Sequence, residues 1–258
     1  MKQLKFKQNH KPQRYGKAGR CLAALIGCCT SLLTLLPLAS CDNRNIHQVV
    51  REMAAAPVDT AYMEKRTIET NPFSTIDVDC FADVTYHQVP VGEKHRVEIH
   101  SFPKVLDNIE VKVEEGELVV AVDRRYKMPD KAVAVIDIYS PFANRFMLDG
   151  GKCFRLGKVV MTSPIELFLD GNVGTILCDS LSAHEVSLEL NGTGYYHLKG
   201  ISTGRIKALI RGGGRIDLEG KCGSAQFSVA GNGSINAEKL QSDSAIEMTR
   251  IEKDNRRK

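Results

Sequence analysis

Asp149-Gly150-Gly151, Asp170-Gly171-Asn172-Val173-Gly174, Asn191-Gly192-Thr193-Gly194, Arg211-Gly212-Gly213-Gly214 and Ala230-Gly231-Asn232-Gly233 punctuate the second half of the chain, and their spacing decides the fold. From the first glycine of one to the first of the next, the steps are 21, 21, 20 and 19 residues. Behind each corner runs a short alternating segment: Phe154 and Leu156, Ile176 and Cys178, Tyr196 and Leu198, Ile216 and Leu218, Ile235 and Ala237. A lone apolar position follows near Val160, Leu181, Ile201, Cys222 and Leu240. A second segment closes each unit, with Ile165, Leu167 and Leu169, then Val186, Leu188 and Leu190, then Ile206, Ala208 and Ile210, then Ala225, Phe227 and Val229, then Ile246 and Met248. A period of two marks strands with one buried face. Units of about 20 residues built from such strands are coils of a parallel β-solenoid, because two helices and their turns do not fit that length. Stacking at ~4.8 Å pairs the backbones and aligns the inward side chains into apolar ladders. Glycine suits a corner that is left-handed or crowded.

Toward the N-terminus, strand patterns without a repeat occupy Thr75 to Val78, Val84 to Tyr86, Val97 to Ile99, Ile109 to Val113, Leu118 to Val122 and Val133 to Ile138. Turns fall at Val91-Gly92-Glu93 and Glu115-Gly116-Glu117. Residues 41–67 read as a polar tether with a short helix from Ile46 to Ala55, residues 68–252 as the solenoid and 253–258 as a charged tail. Another corner is due near Thr249, but the chain gives Thr249-Arg250-Ile251-Glu252; either the tail protects the last edge or the repeat is shortened. The 258 residues are 43% hydrophobic and 26% charged, which excludes a disordered polymer, a collagen and a disulfide miniprotein.

The layout resembles the head GIN domain, a family of proposed autotransporter adhesin heads found mainly in exported proteins and lipoproteins of Gram-negative bacteria. The matching features are Asn71-Pro72-Phe73-Ser74-Thr75-Ile76-Asp77-Val78, the Gly116-Glu117-Leu118 hairpin, Ile138-Tyr139-Ser140-Pro141 and the serial corners, of which Gly192-Thr193-Gly194 and Gly231-Asn232-Gly233 are clearest. Coverage is about residues 68–250. The resemblance implies an all-β, right-handed parallel β-helix and implies no catalytic residues. The first corner, Asp149-Gly150-Gly151-Lys152, departs from the usual small-residue spacing.

Residues 1–40 hold seven Lys/Arg and no acidic residue, so the rest carries 28 basic against 31 acidic residues, near −3, although the whole chain is +4. Basic residues up to Arg20 followed by an uncharged run from Cys21 to Ser40 form a secretory signal. Leu38-Ala39-Ser40-Cys41 resembles the lipobox of bacterial lipoproteins, which implies a membrane anchor at Cys41 made of several acyl chains. An ordinary signal peptide or an uncleaved anchor is the alternative. Cys80, Cys153, Cys178 and Cys222 fit no zinc spacing and read as buried thiols, with one disulfide as the alternative.

Asp149, Asp170 and Asn191 precede three successive corners and should stack as a ladder on one solenoid edge. Such a ladder can bind Ca²⁺ or supply an acid and a base, but Asp and Asn also precede Gly simply because they suit turns. Arg205, Lys207, Arg211 and Arg215 surround the triple glycine and form a candidate surface for an anionic glycan or headgroup. Without aromatic interleaving they do not read as nucleic-acid binding. No helix and no Lys-Ser/Thr follows the Gly-x-Gly elements, so they are not phosphate loops. Phe168 and Leu209 fall on the outward phase of their strands and are candidate contact residues. His87, His95, His100, His184 and His197 share no metal spacing and read as surface or turn residues. Asp59-Thr60-Ala61, Asp179-Ser180-Leu181 and Asp243-Ser244-Ala245 resemble the acceptor tripeptide of O-glycosylation in exported proteins of some Gram-negative bacteria.

The expectation is a lipid-anchored, non-enzymatic binding module of the cell envelope, on either side of the outer membrane, with a glycan, an envelope protein or a host surface as partner. No cofactor, metal or nucleic acid is expected. The alternatives are a carbohydrate-active β-helix using Asp149 and Asp170, and a purely structural envelope component.

Overall fold

Alternating apolar residues line up in two stacks of strands. The computed structural model describes residues 60, 62–123, 125–127, 133–171 and 174–251. Sheet A runs β5 (Ile109–Glu114), β6 (Glu117–Val122), β2 (Thr75–Asp79), β8 (Arg145–Asp149) and β10 (Ile165–Gly171). It continues through the second halves of β11 (Thr175–Gly192), β12 (Tyr195–Gly212) and β13 (Arg215–Ala230) and ends at β15 (Glu247–Ile251). Sheet B runs β1 (Glu64–Glu69), β4 (Arg96–Ser101), β7 (Ala134–Ser140), β3 (Ala82–Gln88) and β9 (Cys153–Val160). The first halves of β11, β12 and β13 extend it to β14 (Ser234–Ser242). Each of the three long strands therefore bends from one sheet into the other. The result is a mostly β protein whose solenoid has about five turns of ~21 residues.

The inward ladders follow the predicted period. One runs Leu118, Ile76, Phe146, Leu167, Leu188, Ala208, Phe227 and Met248 across sheet A, and all but Met248 are buried. Each such Leu or Phe stabilises the fold by about 1.5–3 kcal/mol through removal from water. The buried Tyr196 hydroxyl, entering from sheet B, lies 3.0 Å from the Leu167 carbonyl oxygen and 2.7 Å from that of Glu189. All four described cysteines are buried and free, and burial pushes the thiols of Cys80, Cys153 and Cys178 up to about 12.

The corners use two kinds of glycine. Gly150, Gly171, Gly192, Gly212 and Gly231 all have positive φ, between 64° and 138°, a region that costs a side chain dearly. The last glycine of a corner is crowded instead: a Cβ on Gly194 would stand 2.4 Å from Leu169 Cδ2 and 3.0 Å from the Gly174 carbonyl oxygen.

Before the repeat, spatial order departs from chain order. β2 and β3 form a coil, and the chain then leaves through β4, the short helix α1 (Pro103–Leu106) and β5 before β6 and β7 build the coil outside it. β8 and β9 return to its other side. Antiparallel β1, β4 and β5 close the first coil. Tyr86 holds the crossing: its hydroxyl donates to the Ser140 carbonyl (2.8 Å) and accepts from the Ala143 N–H (3.2 Å).

Three expectations need correction. The inward residue of β9 is Val159, in register with Leu181, while Val160 is 52% exposed. The ladder through Leu181 and Ile201 continues to Gly220 and Leu240, whereas Cys222 stacks on Thr203, because a register shift after Leu198 displaces the row. His95 is buried between the edges of Phe73 (5.0 Å) and Phe142 (5.4 Å), and burial lowers its pKa. In addition, β1 begins at Glu64, so sheet B takes in the last residues of the stretch read as tether. The leader, Cys41, the Ile46 to Ala55 helix and the 253–258 tail lie outside the described residues.

Candidate functional site: the outward face of sheet A

The same period that sends Leu167 inward sends Phe168 outward, and the parallel register converts each outward position into a row across coils. The middle row reads Val119, Asp77, Met147, Phe168, Glu189, Leu209, Ser228 and Thr249. Four of its members are apolar. Phe168 and Leu209 meet in one open groove of about 380 Å³, lined also by Ser187, Glu189, Lys207, Gln226, Ser228 and Ile251.

Charges on this face are largely spent on one another. Lys207 Nζ donates to Glu185 at 2.7 Å and holds that carboxyl below its usual range. Arg211 pairs with Glu189 and reaches Asn191 Oδ1 at 3.3 Å. Arg145 sits 3.2 Å from Glu166, with its guanidinium carbon 4.7 Å from the centre of the Phe168 ring. Arg205 shares the face with Lys207 and Arg211, but Arg215 does not. It belongs to the other sheet, where its Nε donates to the buried Asp217 at 2.7 Å.

Asp149, Asp170 and Asn191 stack in register on the corner edge of sheet A, and Arg211 and Ala230 continue the row. Burial, then Asp79 and Asp170, raises the Asp149 pKa. Asp77, in the middle row between Val119 and Met147, is pushed up to about 6 by burial first and then by Glu117, Asp79 and Asp149. Among the described residues no group of three or more His, Cys, Asp or Glu is arranged to hold a metal ion. No described helix is long and apolar enough to cross a membrane.

No sequence pattern marks Asp77, Asp79, Val119 or Met147 as a site residue, although Asp77 lies in the Asn71–Val78 stretch. Their only signal was the alternation around β2 and β6, which does not reveal that these strands stack against β8.

Because its folded pKa lies above the ordinary 3.8, ionising Asp77 costs stability. That cost is absent below pH 4, grows as pH rises to about 6, and persists above it. Asp77→Asn is expected to raise stability at pH 7.5 by about 1 kcal/mol, less than full linkage because solvent screens a half-exposed group. The gain should vanish by pH 3.5. Thermal melts of both proteins across this range provide the check, and a difference independent of pH would refute the assignment.

The family described as "Putative auto-transporter adhesin, head GIN domain" matches residues 72–247. No curated protein matches. Among solved structures, a "putative lipid binding protein" from Parabacteroides distasonis is 22% identical with a TM-score of 0.59, covering 70% of this chain and 76% of that one. A "putative adhesin" from Bacteroides fragilis is 16% identical with a TM-score of 0.48, covering 74% and 98%. Another "putative adhesin", from Parabacteroides merdae, is 14% identical with a TM-score of 0.40, covering 74% and 94%. The family match spans the first coils and all five corners, so this chain belongs to the head GIN domain family.

Proposed function

We propose that this protein is an exported, lipid-anchored contact module of the cell envelope, without catalysis, and that it meets its partner on the outward face of sheet A. The observation that carries this reading is the groove that holds Phe168 and Leu209 on either side of Glu189, on a face whose charges are largely paired with each other. Apolar area flanked by a few polar groups is the general composition of a binding surface. In this reading Cys41 carries the acyl chains, the tether lifts the solenoid from the outer membrane, and a glycan, an envelope protein or a host surface is the ligand. Leu209→Glu places a second carboxylate in register with Glu189. It is expected to weaken binding of the mature protein to a glycan array or to host cells at least tenfold while leaving the melting curve nearly unchanged.

A second reading is favoured by the raised pKa of Asp149 beside Asp170, a carboxyl pair with the chemistry of an acid and a base. It makes the edge the active site of a polysaccharide-cleaving enzyme. Asp170→Ala separates the two: turnover on acidic polysaccharides falls to background under the second reading, and binding is unaffected under the first.

A further inference from the structure

We propose that Ser244 is an acceptor for an O-linked glycan. The proposal rests on export of the chain, and the structure separates the three matching tripeptides. Asp59-Thr60-Ala61 lies mostly outside the described residues. Asp179-Ser180-Leu181 lies inside β11, with Leu181 fully buried and Ser180 in register with Lys158 of β9. On the other side the next coil closes over it at Gly200, where a Cβ would stand 3.3 Å from Ser180 Cα. A transferase must draw its acceptor backbone into a cleft, and Ser180 is paired with β9 on one side and packed against Gly200 on the other.

Asp243-Ser244-Ala245 differs in every respect. It forms the connection between β14 and β15, and all of residues 243–246 are exposed. Only the backbone is anchored there, by the Asp243 N–H on the Cys222 carbonyl (3.0 Å) and the Ser244 N–H on the Gly223 carbonyl (3.1 Å). The carboxylate, the hydroxyl and the methyl group of the tripeptide are thereby held on the surface.

The position also has a use for a glycan. β14 and β15 each pair with β13 alone among the described strands, and Ile246, Met248 and Ile251 beside them are 38%, 59% and 48% exposed. A strand edge that no other described strand covers, with apolar neighbours, invites pairing with other chains, and a solvated glycan blocks that approach. Edge management is already present in β14, where a bulge opposite Asp217–Glu219 and the charged Glu238 and Lys239 interrupt the edge.

In the transfer, Ser244 Oγ attacks the anomeric carbon of a lipid-pyrophosphate-linked sugar. The new bond is C–O to serine. The anomeric C–O bond to phosphate breaks, its electron pair leaves with the pyrophosphate lipid, and the hydroxyl proton passes to a base of the transferase.

The test is mass spectrometry of the full chain recovered from the membrane fraction of Parabacteroides distasonis, a host from which a solved relative comes. Cleavage after Lys239 and Arg250 isolates residues 240–250 in one peptide. The expected result is that this peptide carries a whole number of monosaccharides. The increment is lost in Ser244→Ala and retained in Ser244→Thr and Ser180→Ala. An unmodified 240–250 peptide from a protein whose N-terminus is Cys41 overturns the acceptor assignment alone. An unmodified peptide from a chain that keeps residues 1–40 overturns the export reading, and the acceptor assignment with it.

Discussion

Gly192→Ala is expected to destabilise the protein by about 4 kcal/mol, the sum of two independent penalties of about 1–3 kcal/mol each. The first is conformational: φ at Gly192 is 102°, where an L side chain is strained. The second is steric, since a Cβ would stand 2.1 Å from the Gly171 carbonyl oxygen, which also accepts the Thr193 N–H of the next corner. Relaxing the clash pulls two coils apart at the corner. For a domain of this size the melting temperature should fall by about 10 °C. Gly213→Ala is the control, because it has no positive φ and a Cβ there meets nothing closer than Thr193 Cγ2 at 3.6 Å. Its expected effect is within about 0.5 kcal/mol. Equal losses in urea denaturation of the two variants would contradict the corner assignment.

Phe146→Ala is the second large effect, about 4 kcal/mol from the lost burial and the cavity left behind. Phe146 is fully buried where two coils meet, edge-on to Tyr86 at 5.0 Å and to Phe154 at 5.7 Å. These rings bridge β8, β3 and β9, the segments whose spatial order departs from chain order. Met248→Ala removes a side chain from the same ladder but at its exposed end, and should cost under about 1 kcal/mol. The ratio of the two losses in denaturant unfolding measures how far the core extends along the solenoid. Similar losses would mean that the ladder is not closed at its first coils and open at its last described one.

The corners were legible because backbone stereochemistry restricts a left-handed position nearly to glycine, and a residue type so constrained survives as a spacing. Inward rows were legible for a similar reason, since a one-residue slip would expose Leu167 and bury Glu166. Where that contrast weakens, alternation does not fix which residue faces inward. Val159 and Val160 are adjacent and equally apolar, so nothing local says which turns inward. At Gly220 the inward ladder has no side chain at all, so the apolar pattern points to Cys222 instead. The order of the first three coils was hidden because it depends on the excursion through β4, α1 and β5, which leaves no periodic trace. The site divides along the same line. Phe168, Leu209 and the Asp149–Asp170–Asn191 row lie within the repeat and could be placed relative to one another. Asp77 and Asp79 could not, because the strand that carries them precedes the strands it joins. Pairing between Arg215 and Asp217 removed one residue from the basic cluster, since the corner between Arg211 and Arg215 turns the chain onto the other sheet.

In the proposed function, contact is made on the outward face of sheet A and not elsewhere on the solenoid. Its most direct test is the affinity of full-length mature protein for host cells or arrayed glycans, compared between Leu209→Glu and Val160→Glu. Both substitutions add one negative charge at an outward apolar position, Leu209 in the groove of sheet A and Val160 at the 52% exposed end of β9 in sheet B. At least a tenfold loss is expected for Leu209→Glu and wild-type binding for Val160→Glu; equal affinities, or loss only with Val160→Glu, would place the contact elsewhere.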